Sequence, residues 1–104
     1  MNLNDYQEAA GKYQLASPNT ERIYGLFEES GEVAGVFKRK DRGDYETQGE
    51  FLNALIKELG DVLWYLSRVA ADNSITMEEV AYINLSKLDD RKMRNKLQGS
   101  GDNR

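Results

Sequence analysis

Two long stretches of this chain, residues 20–39 and 49–71, repeat their apolar side chains at the 3.6-residue period of an α-helix, and Pro18 is the only proline in 104 residues. No comparable stretch alternates with the period of two that a half-buried strand needs. The chain therefore reads as all-α.

At 100° per residue, Val36, Val33, Leu26, Phe37, Ile23, Ala34 and Phe27 fall on one continuous arc of the first stretch. The second carries a stronger stripe of Phe51, Leu52, Leu55, Ile56, Leu59, Val62, Leu63, Leu66, Val69 and Ala70. Ahead of them the pattern predicts a short helix from Asp5 to Leu15, with Asn4 as N-cap and Ser17-Pro18-Asn19 ending it. Behind them, Thr76-Met77-Glu78-Glu79 has the form of a capping box, so a fourth helix should run to about Leu97. The polar connection Lys40-Asp41-Arg42-Gly43-Asp44 is short enough to make its flanking helices antiparallel. The expectation is a four-helix, antiparallel, bundle-like domain over residues 1–97, followed by a polar tail at 98–104. At this size, helices that also join copies of the chain help complete the core.

Within these helices, Glu28, Glu29 and Glu32 form one acidic cluster, and Glu58 and Asp61 form a second. Spacing of three residues puts Glu29 and Glu32 on one helix face, and Glu58 and Asp61 on another. Glu29 projects inside its apolar arc, between Val36 and Val33, whereas Glu32 lies just outside and Glu28 further toward solvent. Glu58 projects at the margin of its stripe, between Tyr65 and Val69, with Asp61 one step further out. Both clusters lie a similar number of residues from the connecting loop, so an antiparallel hairpin brings them to the same height. Two like charges ~4 Å apart repel by roughly 4 kcal/mol at an effective dielectric of ~20. A hard divalent cation, magnesium or manganese, would offset that cost.

Composition removes the main alternatives. Without cysteine or histidine there is no disulfide framework, no thiolate or imidazole chemistry, no ordinary zinc site and no Glu-x-x-His di-iron motif. A net charge of −4 argues against a nucleic-acid surface, though not against a small nucleotide. No apolar run approaches ~18 residues and the N-terminus lacks the pattern of a signal peptide, so the sequence predicts a soluble, cytoplasmic protein with no membrane partner.

Asn84, Lys87 and Arg91 share one stripe of the fourth helix. Facing the acidic clusters, they would suit substrate phosphates.

These residues resemble the MazG-like family of nucleoside triphosphate pyrophosphohydrolases, part of an all-α superfamily that includes dimeric dUTPases. The resemblance rests on Gly25-Leu26 with Glu28-Glu29-Ser30-Gly31-Glu32-Val33-Ala34, on Lys57-Glu58-Leu59-Gly60-Asp61 through Leu66, and on Asn84 through Arg91. Tyr6-Gln7 and the tail Gly99 to Arg104 are similar to small single-domain members. The resemblance implies magnesium ligands at Glu29, Glu32, Glu58 and Asp61, and a supporting catalytic role for Glu28. It also implies phosphate- and sugar-side contacts from Asn84, Lys87 and Arg91, and hydrolysis of a (d)NTP to the monophosphate and pyrophosphate.

Tyr65 sits beside Glu58 in projection and is the candidate nucleotide contact. Trp64 projects off the apolar stripe, which predicts a subunit interface and a homodimer or homotetramer. The resemblance leaves room for the tail to fold over the nucleotide, while a disordered terminus is the commoner fate of so polar and glycine-rich a segment. Two other functions fit the spacing: a non-catalytic helical module that binds a metal or a protein, and a pyrophosphohydrolase of a related substrate such as phosphoribosyl-ATP.

Overall fold

The computed structural model describes residues 1–104 as four α-helices without a strand. Helix α1 spans Leu3–Ala10 and runs into a single 3₁₀ turn at Gly11–Tyr13; α2 spans Asn19–Asp41, α3 Gln48–Asp72 and α4 Met77–Met93. No helix is long and apolar enough to cross a membrane.

The two long helices form the expected antiparallel hairpin. Gly43, at φ +79°, turns the chain out of α2, and the Thr47 hydroxyl accepts from the Glu50 amide at 3.1 Å to open α3. Phe37 meets Phe51 edge to face near the loop, with ring centroids 5.3 Å apart, and Tyr45 closes over Phe51 from the loop at 6.0 Å. At the far end, Arg22 donates to both oxygens of Asp72, at 2.5 and 3.1 Å, and also to Ser17 and Asn19. These contacts pin the register along the whole hairpin.

Helix α1 begins two residues earlier than the sequence suggests. Asn2, not Asn4, is the N-cap: its side chain accepts from the Asp5 amide at 2.8 Å, and the Asp5 carboxylate reaches back to the Asn2 amide. Asn4 is used elsewhere, accepting from the Glu78 amide at the start of α4. The helix also stops before Leu15, because Gly11 begins the tighter turn.

Gln7 joins three elements. It is buried, donates to the Ser67 and Ile75 carbonyls at 3.3 and 2.9 Å, and accepts from the Met77 amide at 3.0 Å. Buried Arg68 completes the joint by donating to the Gln7 carbonyl. Trp64 belongs here too, against the expectation that it faces a subunit partner: its indole N–H donates to the Ala10 carbonyl at 3.1 Å, and its ring meets Tyr65 edge to face. An off-stripe tryptophan thus finds its cover within the chain, under α1.

Helix α4 opens with the expected capping box between Thr76 and Glu79, but it packs chiefly on α1 and not on the α2–α3 hairpin. It also ends at Met93, short of Leu97, because Asn95 turns left-handed at φ 57° and the Lys96 amide returns to the Arg91 carbonyl. The tail then folds back onto the end of α4 in place of the commoner disorder. Arg104 donates to the carbonyls of Lys96, Leu97 and Gly101, and Asp102 reaches Lys87 and Arg91. The resulting molecule is open, with a radius of gyration of 16.6 Å. A compact chain of this length would have about 13 Å.

Candidate metal and nucleotide site

The hairpin register decides which acids meet. Gly25 lies directly against the Tyr65 ring. One helical turn further toward the loop, Glu29 of α2 comes to the height of Asp61 of α3, and Glu32 to that of Glu58 one turn beyond. One carboxylate oxygen each from Glu29, Glu58 and Asp61 lies within 4.8 Å of the others. Glu29 and Glu58 are half-buried while Asp61 is exposed, so the group opens to solvent on one side. Glu32 and Glu28 are exposed and stay outside this group.

Burial, above all, pushes the Glu29 carboxyl above the usual carboxylate range, and the charges of Asp61, Glu58, Glu28 and Glu32 push it further. That is the electrostatic signature of a cluster short of positive charge. A donor set made only of carboxylate oxygens, joined by waters, fits a hard divalent cation and offers nothing to a soft one.

Tyr65 links the acids to a crevice at the far end of the hairpin. Desolvation raises its phenol pKa, and Glu29, Glu28, Glu21 and Asp61 raise it further, so the hydroxyl stays a hydrogen-bond donor at neutral pH. The crevice, of about 210 Å³, is walled by Tyr13, Leu15, Trp64 and Tyr65, with Gln14, Ser17, Glu21 and Arg22 supplying polar atoms. Apolar walls with a few polar groups are what a small organic ligand needs.

The basic stripe lies elsewhere. Asn84 and Lys87 line a separate groove of about 440 Å³ with Ile75, Glu79, Val80 and Ile83. Within one chain this stripe makes no hydrogen bond or ion pair with the acids of α2 and α3. Its acidic partner is Asp102: Lys87 donates to Oδ1 at 2.9 Å, and buried Arg91 donates to the carbonyl at 2.5 Å and to Oδ1 at 3.4 Å. The hydrogen bonds from Lys87 and then Arg91 hold the Asp102 carboxyl below its ordinary range.

Residues 18–94 match the family model of the MazG nucleotide pyrophosphohydrolase domain. This chain belongs to that family. The resemblance carried by the two acidic motifs is thereby borne out, and the matched span contains both of them and the α4 stripe. The MazG family comprises nucleotide pyrophosphohydrolases, typically dependent on a divalent metal, and the acid cluster is of the corresponding kind. A curated relative, the "Gene 37 protein" of Mycobacterium phage L5, is 43% identical over 82 residues, covering 77% of this chain and 71% of its own. No solved structure matches the chain.

Three relationships in the site could not be read from the sequence, although Gly25 and the tail containing Asp102 carry part of the resemblance. Gly25 is a helix-interior glycine, a signal of close packing, yet only the fold reveals that its neighbour is Tyr65. The crevice depends on the 3₁₀ turn after α1, which periodicity does not resolve. Asp102 meets the basic stripe through a loop reversal with no local pattern.

Proposed function

We propose that this chain is a magnesium-dependent pyrophosphohydrolase that converts a nucleoside triphosphate to the monophosphate and pyrophosphate, working as a homodimer or homotetramer. The observation that carries the reading is the convergence of Glu29, Glu58 and Asp61 on one open face of the hairpin, in a chain of the MazG family. Glu29, Glu58 and Asp61 would hold magnesium, with Glu32 one turn along α2 as a fourth oxygen donor. When bound, the ion supplies Lewis-acid polarisation of the α-phosphoryl oxygens and a bound water of lowered pKa.

The remaining steps fall to side chains. Glu28, exposed next to Glu29 in sequence, would accept a proton from the attacking water through solvent. Tyr65 supports the sugar, and the crevice behind it receives the base, one to two helical turns from the carboxylates. Lys87 and Arg91, with Asn84, offset charge on the phosphates. Because α4 leaves its own hairpin uncovered, a second copy is the natural source of that stripe.

An oligomer also follows from the surface. The chain exposes 7751 Å², whereas a folded monomer of 11.8 kDa would expose about 5900 Å². The excess is of the size that a stable subunit interface removes. Incubation with magnesium and each nucleoside triphosphate tests the reaction: stoichiometric pyrophosphate is expected, and release of orthophosphate in its place would refute it.

A further inference from the structure

Resting on the reading above, we infer that Arg39 is a binding residue for the leaving pyrophosphate, set on the hairpin at the opposite side of the acid cluster from Tyr65. Arg39 stands two turns beyond Glu32 on the same face of α2. Its guanidinium does not turn toward the helix C-terminus, where a cation would ordinarily serve the last carbonyls. It runs back along α2 and lies over Gly35, where a Cβ would sit 3.2 Å from Nη1 and 3.8 Å from Nη2. The missing side chain at position 35 is what makes room for it.

The guanidinium is held by one end only. Its Nε donates to the Tyr45 hydroxyl at 3.3 Å, while Nη1 and Nη2 make no hydrogen bond or ion pair. Tyr45 in turn is braced against Phe51. The result is a half-buried fork, fixed at its base, with Nη1 leaning over Gly35, between Arg39 and Glu32 along α2. A planar fork of that kind suits two phosphate oxygens at once.

Neighbouring charges give the same order along the hairpin. The Tyr45 hydrogen bond chiefly raises the Arg39 pKa, and the charges of Glu32 and Glu58 add to it; those that act on Tyr65 include Glu29 and Asp61. From one end to the other the track therefore reads Arg39, Glu32 with Glu58, Glu29 with Asp61, then Tyr65 and the crevice. Nearby cations are otherwise engaged or solvated: Lys40 sits 4.1 Å above the Phe51 ring, and Lys38 is exposed. An α-phosphate at the carboxylates with its base in the crevice leaves the β- and γ-phosphates pointing at Arg39. The nucleotide thus has one polarity on the hairpin.

Calorimetry on the full chain, with magnesium alone and then with magnesium plus inorganic pyrophosphate, tests this without turnover. Arg39→Gln should weaken pyrophosphate binding about tenfold, equivalent to about 1.4 kcal/mol, while magnesium alone binds as well as before or more tightly. Tyr45→Phe keeps the ring against Phe51 and should show a smaller loss of the same kind, which preserves the test if Arg39→Gln fails to fold. Pyrophosphate binding within twofold of wild type in these variants would overturn the assignment, as would parallel loss of magnesium binding. Orthophosphate release by the wild type would defeat the pyrophosphohydrolase reading while leaving this contrast measurable.

Discussion

The ring of Tyr65 occupies the space that a side chain at Gly25 would need: a Cβ there would lie 2.2 Å from Cε1 and 2.5 Å from Cζ of the phenol ring. Both atoms belong to a rigid ring wedged between α2 and α3, so neither helix can yield without moving the other. Gly25→Ala should therefore cost about 1–3 kcal/mol of stability, as overpacking does. It should also raise KM more than it lowers kcat, because Tyr65 would swing away from the crevice while the carboxylates stay in place. Thermal unfolding and steady-state kinetics check both; an unperturbed KM would remove Tyr65 from the nucleotide contacts.

Glu29 couples the chemistry to stability. Its carboxyl pKa is raised in the folded chain, chiefly by burial, so the folded state binds its proton more tightly than the unfolded state does. Stability from this group is present at low pH and is lost as pH rises through the raised value. Metal-free protein should accordingly lose stability as pH climbs from the ordinary carboxylate range toward neutrality, and added magnesium should restore it. Glu29→Gln should abolish that pH dependence and lower kcat/KM at least about a hundredfold, on the scale of several kcal/mol that a metal ion contributes. Melting curves with and without chelator, across pH, give the answer.

How much of this could be read from the sequence depends on how local the information is. The hairpin and its acid cluster were legible because helical period and loop length together fix face and height, as the closeness of Glu29, Glu58 and Asp61 illustrates. Thr76 was legible as a cap because Glu79 completes its motif within four residues. Trp64 was not, since its cover is the Ala10 carbonyl, far away in sequence. The direction of α4 was equally hidden. Its apolar residues, among them Tyr82, Ile83, Leu85 and Leu88, are spread around the helix and leave no single face to dock.

The Asp102 contact makes the tail pH-sensitive. Lys87 and Arg91 depress the carboxyl pKa, so docking is favoured at neutral pH and is lost as pH falls through that lowered value. Proteolysis of residues 98–104 should thus accelerate in acid before the helices melt. Since the same carboxylate neutralises the cations proposed to take substrate phosphates, Asp102→Asn should lower KM for the triphosphate. A raised KM would instead assign the tail to holding Lys87 and Arg91 in shape.

The exposed apolar side chains mark where the proposed subunit contact would form. Phe27 is 77% exposed and Ile56 66%, on adjacent helices of the hairpin, and Leu59 is half exposed one turn from Ile56 toward the acids. In water such a surface costs about 25 cal/mol per Å², and the surplus area of the chain is far larger than scattered surface residues explain. On α4, Ile83 is 64% exposed and Leu85 61%, so apolar surface is left open on more than one side of that helix as well. Sedimentation at micromolar concentration should give a dimer or tetramer. Ile56→Glu should shift the mass toward monomer and cost activity with it, while leaving Glu29, Glu58 and Asp61 chemically intact. Full activity in a monomeric Ile56→Glu variant would place Lys87 and Arg91 of a second copy outside the reaction.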